Sequence, residues 1–344
     1  MAWAAGDQLQ GGKYTVEKEL GRGRFGITYL ARNKNSDRLV IKTLNDNLLQ
    51  SLSQSERARL ETMFWQEAVN LTRCQHQHIV QFRTPFKEGD YPCLVMEYID
   101  GVSLADLRPP KLSEPDALRY IQQIGEALIV VHKNGLIHRD VHPGNILLRN
   151  REGQLEAVLI DFGLALDFDH ILSTSRTKEV SDGFTPPELY AKGTITHAYS
   201  DIYSLAATLY KLLTGKTPVD AVNRKLNGEH LVSPKDLNPQ ISDRTNRAIL
   251  TGMKLDPKER SQSVRQWLDS LRLTGENSQP SVIIPPNTNR TWERNIQFWG
   301  VVIAAIAAIG TLLSGIVGWI PIFHPSPSSN QPSPSPSSSS TKTP

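Results

Sequence analysis

The segment HRDVHPGN at residues 138–145, followed by DFG at residues 161–163, decides how this sequence is interpreted. Phosphoryl transfer requires few protein groups: a carboxylate that accepts the proton of the acceptor hydroxyl, and oxygen ligands for a metal ion. Asp140 can fill the first role. Asn145 and Asp161 can fill the second, because Mg²⁺ prefers hard oxygen ligands. The two segments together therefore predict a phosphoryl-transfer site that uses Mg²⁺, with Mn²⁺ as an alternative ion.

A glycine-rich segment, GRGRFG at residues 21–26, lies far upstream of these acidic loops. Glycines allow backbone N–H groups to approach phosphates without an intervening Cβ. A dinucleotide-binding loop would open a helix, but residues 27–30 read ITYL, a β-branched and aromatic run that predicts a strand. The segment is therefore interpreted as a phosphate-covering hairpin. A glycine-rich hairpin without a ligand is the alternative when the segment is taken alone.

Lys42 and Glu67 form the next candidate pair. Lys42 ends the apolar run Leu39–Ile41, which predicts a strand. Glu67 lies on the apolar face of a predicted helix, and a carboxylate in that position is costly unless it is paired. We therefore predict a Lys42–Glu67 ion pair that directs the ammonium group to ATP phosphates. The apolar face is formed by Leu60, Met63, Phe64, Ala68 and Leu71.

In this order, the motifs resemble those of eukaryotic-type (Hanks-type) serine/threonine protein kinases, and the layout is similar to their membrane-anchored bacterial members. The resemblance covers residues 14–273. It implies an α+β, two-lobed protein-kinase fold, with a small β-rich N-lobe at 14–98 and a larger helical C-lobe at 102–273. ATP with Mg²⁺ is expected in the cleft between the lobes.

The resemblance also implies the roles of individual residues. Asp140 is the expected catalytic base, Lys42 and Glu67 the activating ion pair, and Asn145 and Asp161 the metal ligands. Met96 stands at the gatekeeper position before the hinge. The expected nucleotide contacts are Leu20, Gly21, Arg22, Gly23, Arg24, Phe25, Gly26, Thr28, Val40, Lys42, Met96, Glu97, Ile99 and Leu147.

Further matches lie in the second lobe. Glu188 is expected to pair with Arg260, and Asp201 to anchor the catalytic loop. Arg139 is expected to receive a phosphorylated activation loop through charge-assisted hydrogen bonds. Autophosphorylation is therefore expected beside the phosphorylation of protein substrates, with Thr174 and Thr177 favoured. The candidate hydroxyls are Ser173, Thr174, Ser175, Thr177 and Ser181, of which Ser181 is expected to be structural.

His142 is the main departure from the family pattern, because serine/threonine kinases usually carry lysine two residues after the catalytic aspartate. Histidine side chains titrate near pH 6.5, whereas lysine is a permanent cation. Slower or pH-dependent transfer is therefore predicted. The phrase HPGN at 142–145 also resembles small-molecule phosphotransferases of the aminoglycoside and choline kinase type. That activity and a weakly active kinase-like scaffold are the alternatives.

The C-terminal region predicts a membrane anchor. Residues 298–320 carry no charge and would span ~34 Å as a helix, against ~30 Å of hydrocarbon. Arg290 and Arg294 precede this span, so the positive-inside rule places the kinase domain in the cytoplasm. A juxtamembrane linker is expected at 275–297 and a disordered Pro/Ser-rich tail, outside the membrane, at 321–344.

Small residues recur every fourth position in the predicted span at Gly310, Ser314 and Gly318, a spacing that permits a homodimer of packed helices. The alternative is that small residues simply fill a span that is rich in alanine and glycine. The net charge of +3 gives no support to a nucleic-acid partner. The two cysteines match no metal or disulfide pattern, and the first ten residues contain no long apolar run. We therefore expect no cleavable signal peptide. Together with the predicted span, the resemblance to membrane-anchored bacterial kinases predicts a single-pass protein of a bacterial cell membrane.

Overall fold

The computed structural model describes residues 3–23, 26–162, 183–190 and 196–271, which all belong to one compact unit, Met1–Val282. The predicted linker, membrane span and tail lie outside the described residues. Within the described ranges, no helix is both long enough and apolar enough to cross a membrane.

The first lobe is built on a six-stranded antiparallel sheet with the order β1-β2-β3-β4-β6-β5. Its first strand pairs Leu9 with Tyr14, so the sheet begins before residue 14, where the sequence resemblance starts. The strands are β1 (Gln8–Leu9), β2 (Tyr14–Arg22), β3 (Gly26–Asn33), β4 (Arg38–Leu44), β5 (Phe86–Glu88) and β6 (Tyr91–Glu97).

Alternation along β4 decides which way Lys42 faces. Leu39 and Ile41 belong to a small apolar cluster on one face of the sheet. Val40 and Leu44 belong to the large core on the other face. Because side chains alternate between the faces of a strand, Lys42 lies on the face of Val40 and Leu44, which is the face toward the second lobe.

Two helices follow β4: α1 (Asp46–Ser51) and α2 (Gln54–Thr72). Helix α2 begins with a capping box, in which Ser53 and Glu56 bond reciprocally to each other's backbone N–H. The predicted apolar face is buried, with Leu60, Phe64, Ala68 and Leu71 in the core. Its packing fixes α2 against the sheet.

The second lobe is mainly helical and packs around a central helix, Ala198–Thr214, which is buried along almost its whole length. This helix ends at Gly215, whose φ of 72° is the left-handed conformation that glycine adopts most readily. The helices are α3 (Glu114–Lys133), α4 (Ala198–Thr214), α5 (Ala221–Leu226), α6 (Pro234–Leu237), α7 (Asp243–Gly252) and α8 (Val264–Leu271). A three-stranded antiparallel sheet contains β7 (Gly101–Ser103), β8 (Ile146–Arg151) and β9 (Gln154–Leu159).

Candidate active site

The hairpin of β8 and β9 brings the two predicted metal ligands to one end of the lobe. Asn145 directly precedes β8, and Asp161 follows β9. Ile146 pairs with Leu159, and the N–H of Ile160 donates to the carbonyl oxygen of Asn145 at 2.9 Å. The ladder therefore places residue 145 beside residue 160, the neighbour of Asp161.

The side chain of Asn145 also orients Asp140. Its Nδ2 donates to the Oδ2 and to the carbonyl oxygen of Asp140, both at 2.9 Å. Both amide protons are thereby used, and Oδ1 remains as the atom that can bind a cation. One amide oxygen together with the carboxylate of Asp161 is a donor set that fits Mg²⁺.

Asp201 anchors the backbone of the loop that carries Asp140. Its carboxylate accepts hydrogen bonds from the N–H groups of His138 at 2.9 Å and Arg139 at 2.8 Å. It also accepts from His132 Nε2 at 2.7 Å. Burial by itself raises the pKa of this carboxyl group, but His132 and His138 outweigh burial and hold the pKa below its usual value. Asp201 is therefore ionised and fixes the loop to α4.

His138 stabilises the same loop through both of its ring nitrogens. Its Nδ1 accepts from the N–H of Asp140 at 3.3 Å, and its Nε2 lies 3.1 Å from the carbonyl oxygen of Ile160. These partners assign the proton to Nε2. Complete burial lowers the pKa of His138, consistent with a neutral ring. The ring centroid lies 4.6 Å from that of Phe162, whose buried side chain follows Asp161.

The backbone is strained at two positions of the site. Arg139 has φ of 68° and Asp161 has φ of 56°, both in the left-handed region that non-glycine residues seldom occupy. Such conformations cost on the order of 1–3 kcal/mol each and persist only where the surroundings determine them. At Arg139 the surroundings are Asp201, which binds its N–H, and Thr196, whose Oγ1 accepts from Nε at 3.1 Å.

Lys42 reaches across the cleft to Asp161, with which its ammonium group forms an ion pair. The side chain of Lys42 is 18% exposed and that of Asp161 is 43% exposed, so the carboxylate remains open to solvent. Glu67 lies on α2, but its side chain is outside the description. The predicted Lys42–Glu67 pair therefore stays a prediction.

His142 lies beside the expected base. Its Nδ1 accepts from the N–H of Gly144 at 3.1 Å and caps the short turn Pro143–Asn145. Its Nε2 is 3.6 Å from Oδ1 of Asp140. A Cβ at residue 144 would lie 2.8 Å from Cε1 of the imidazole, so the ring packs directly against Gly144. The histidine thus occupies a fixed place next to Asp140.

The glycine-rich segment forms the turn between β2 and β3. Gly21 pairs with Thr28, and the N–H of Gly23 donates to the carbonyl oxygen of Gly26 at 2.9 Å. A Cβ at Gly26 would lie 3.0 Å from a backbone oxygen and 3.4 Å from Cε of Lys42. Glycine here permits close approach of the turn to Lys42. Arg24 and Phe25, at the tip, lie outside the described residues.

The expected adenine contacts come from both lobes. Val40 and Met96 are cross-strand partners in the core cluster against which Leu147 packs. The N–H of Glu97, one of the expected hinge residues, donates to the carbonyl oxygen of Gln81 at 2.9 Å. Of the remaining predicted contacts, Thr28 pairs with Lys42, Ile99 is buried, Leu20 is exposed, and Arg22 forms ion pairs with Glu19 and Asp46.

The predicted Glu188–Arg260 pair is present and buried. Two guanidinium nitrogens donate to the two carboxylate oxygens at 2.7 and 3.0 Å. Ser200 Oγ donates to the same carboxylate at 2.9 Å. The candidate hydroxyls of the activation loop, from Ser173 to Ser181, lie outside the described residues.

Three supporting residues were not predicted from the sequence. His132 binds Asp201, Arg149 donates to the carbonyl oxygen of Gln77 at 2.7 Å near the hinge, and Asn45 binds the glycine-rich turn. Each interaction joins segments more than twenty residues apart. Periodicity and short motifs carry no signal for such a contact, although the position of Asn45 directly before a helix suggests a cap.

Comparison with known proteins gives a consistent result. The family model described as "Protein kinase domain" matches residues 14–272. Among curated proteins, a "probable serine/threonine-protein kinase" of Clostridium perfringens is 30% identical over 77% of this chain and 38% of its own length. The serine/threonine-protein kinase pkn2 of Myxococcus xanthus is 31% identical over 76% of this chain and 32% of its own. The chain thus spans about a third of the length of these relatives.

Solved structures show the same architecture. A variant of the PknI kinase domain of Mycobacterium tuberculosis matches with a TM-score of 0.60 and 26% identity, covering 79% of this chain and 98% of that one. The apo form of PpkA-294 matches with a TM-score of 0.67 and 25% identity, covering 79% and 99%. In both cases the match covers nearly all of the neighbour's chain.

Proposed function

This chain belongs to the protein kinase family, and on that premise we propose that it transfers the γ-phosphoryl group of ATP to serine and threonine hydroxyls of proteins. One observation carries the proposal. The carboxylate of Asp140 is held by Asn145, whose remaining oxygen lies at the same end of the β8–β9 hairpin as Asp161. A proton acceptor and two metal-binding oxygens are thus assembled on one short framework.

Each residue of the proposed site has a separate role in the reaction. Bound Mg·ATP supplies the phosphoryl group and the metal charge that stabilises its transfer. Asp140 orients the acceptor hydroxyl and takes its proton. Asn145 and Asp161 hold the metal, while Lys42, already beside Asp161, provides a cation for the phosphates. The glycine-rich turn covers the phosphates with backbone N–H groups.

The first test is phosphate transfer by the full-length chain in detergent, with Asp140→Asn as the variant and Asp116→Asn as a matched surface control. Labelled phosphate on serine or threonine of a generic acceptor protein should fall at least about 100-fold in Asp140→Asn. The surface control should match the wild type. ATP turnover without protein labelling would favour a small-molecule acceptor, and ATP binding without turnover would favour a scaffold.

Autophosphorylation forms part of the proposal. Arg139 is held between Asp201 and Thr196 at the base of the catalytic loop, where a phosphorylated loop could bind its guanidinium group. Thr174 and Thr177 are the preferred sites. Mapping phosphate on the wild type and on the double variant Thr174→Ala/Thr177→Ala tests this assignment. Equal incorporation in both proteins contradicts it.

We also propose that residues 298–320 anchor the kinase in a bacterial cell membrane, with the kinase domain in the cytoplasm and the tail outside. The uncharged length of this segment and its flanking arginines support this assignment. An Ile306→Arg/Leu312→Arg variant should move the chain from the membrane to the soluble fraction, because each central arginine costs about 2.5–3.5 kcal/mol on insertion. A Ser328→Arg variant in the tail is the control. Crosslinking of the same proteins tests the homodimer.

A further inference from the structure

Asn45 connects the glycine-rich turn to the strand that carries Lys42. Its Nδ2 donates to the carbonyl oxygen of Gly23 at 2.6 Å. Asn45 directly follows β4 (Arg38–Leu44) and is 6% exposed. The contact therefore joins the turn that covers the phosphates to a buried point three residues beyond the lysine.

The other end of the same amide group has a separate function. Its Oδ1 accepts from the N–H of Asn47 at 2.9 Å, which makes Asn45 the N-cap of α1. Aspartate caps helices as well as asparagine does, but a carboxylate has no N–H to donate. Asparagine is thus the residue that caps α1 and binds Gly23 at the same time.

The tether fixes the turn relative to Lys42. The N–H of Gly23 also bonds to the carbonyl oxygen of Gly26, and Gly26 approaches the Lys42 side chain closely. Both polar backbone groups of Gly23 are therefore bonded within the lobe. A residue held in this way loses less conformational entropy when a ligand binds beside it than an untethered residue would lose.

We propose that Asn45 is a positioning residue for the nucleotide triphosphate: it holds the glycine-rich turn in register with Lys42, so that both act on the same phosphates. This inference rests on the proposed function, because it assumes that the turn binds ATP. The effect should be confined to ligands that carry phosphates. Adenosine, which lacks them, should bind independently of the tether.

A second connection between the same elements contributes less. Arg22 pairs with Asp46 at 3.1 Å, and their side chains are 34% and 13% exposed. Arg22 also pairs with Glu19. Exposed ion pairs of this kind contribute little. Asp46→Ala should therefore change the affinity for ATP by less than about twofold. That result would attribute the tether to the amide of Asn45 and not to the ion pair.

The decisive variant is Asn45→Ser, which keeps a neutral cap on α1 and is too short to donate to Gly23. Binding of Mg·ATP and of adenosine to the full-length chain is measured by calorimetry, together with the melting temperature. We expect ATP to bind about fivefold to tenfold more weakly, equivalent to one lost hydrogen bond, with adenosine affinity and melting temperature unchanged. Asn45→Ala should show the same loss for ATP and a lower melting temperature.

Asp220→Ala is the matched control, because Asp220 caps α5, another six-residue helix, through the N–H of Asn223. It should lower the melting temperature and leave both affinities unchanged. If Asn45→Ser does not fold, Asn45→Thr takes its place, since threonine also caps and is too short to reach Gly23. Wild-type affinity for ATP in Asn45→Ser, or a parallel loss for adenosine, overturns the inference alone. A wild type that binds no ATP overturns the proposed function as well.

Discussion

Two carboxylate–cation pairs in this protein differ in their exposure to solvent and in the number of their hydrogen bonds. Glu188 and Arg260 form a bidentate pair in which the Arg260 side chain is fully buried and that of Glu188 is 5% exposed. The guanidinium group also donates to three backbone carbonyl oxygens, and its carbon lies 5.0 Å from the ring of Tyr203. Lys42 and Asp161 share a single contact in the cleft, where the carboxylate is 43% exposed.

The difference separates a structural pair from an exchangeable one. Removal of one partner of a buried ion pair leaves an uncompensated charge in the interior, which is strongly destabilising. The contact between Lys42 and Asp161 is single and partly exposed. A metal ion can therefore take the place of the ammonium group, and a phosphate can take the place of the carboxylate. We therefore expect disruption of the first pair to reduce stability, and disruption of the second to reduce activity.

The largest effect is expected from Arg260→Ala. It leaves the carboxylate of Glu188 buried without its cation, which should reduce the free energy of unfolding by about 3–5 kcal/mol and the melting temperature by roughly 10 °C. Thermal unfolding of the full-length chain measures this change. The control is Arg119→Ala, since Arg119 pairs with Asp116 on the surface. A loss in Arg260→Ala no larger than that of the control would show that the buried pair has no structural role.

Lys42→Met should give the opposite result. Removal of the cation from the phosphate site should slow phosphate transfer by about 100-fold to 1000-fold. The melting temperature should stay within about 2 °C, because half-exposed pairs contribute at most about 1 kcal/mol. Lys87→Met is a suitable control, since Lys87 pairs with Glu61 at 2.6 Å on the surface of the same lobe. If Lys42→Met loses stability to the same extent as Arg260→Ala, the distinction between the two pairs fails.

The comparison can be extended to the pH dependence of stability. Asp201 is a buried carboxylate like Glu188, but its side-chain partner is a histidine. Its lowered pKa means that its contribution is present above about pH 3.9 and is lost only as the pH falls through the folded-state pKa. The neighbouring His138, and His78 behind the hinge, have pKa values lowered by burial. Below about pH 6.5 the unfolded chain therefore binds protons that the folded chain resists.

The free energy of unfolding should accordingly fall between pH 7 and pH 5, by up to about 1.4 kcal/mol per pH unit for each of these histidines. Denaturant titrations at several pH values measure the slope. The His78→Asn variant, which retains a donor for the carbonyl oxygen of Ala157, should show a smaller slope. An unchanged slope would assign the acid sensitivity to other groups.

The sequence identified the exposed elements of the site more completely than their supports. The order of the glycine turn, Lys42, Asp140 and Asp161 predicted the two-lobed kinase fold, and the family match confirms it. These residues lie in recognisable sequence patterns: a glycine-rich segment, the end of an apolar run and two acidic loops. The pair of Glu188 and Arg260 was predicted through family resemblance, and the structure contains it.

The supports that the family resemblance does not mark were not predictable, because they depend on how distant segments pack. His132 binds Asp201 across 69 positions of sequence, and Asn45 binds Gly23 across 22. Neither residue belongs to a motif. For Lys42, the role as a cation in the phosphate site was predicted from the sequence. Its contact with Asp161 was not predicted, because that contact depends on the relative position of the two lobes.

His142 and Asp140 form the loosest of the cation–carboxylate contacts in the site, at 3.6 Å, and the smallest effect is expected there. An imidazole contributes positive charge only when it is protonated, whereas lysine is charged throughout the neutral range. His142→Lys should therefore increase phosphate transfer about threefold, a smaller change than the other variants should produce. His142→Gln, which stays neutral, is the control and should not exceed the wild type. Equal rates for the lysine variant and the wild type would mean that position 142 acts through its cap on Gly144 and that charge beside Asp140 has no part in transfer.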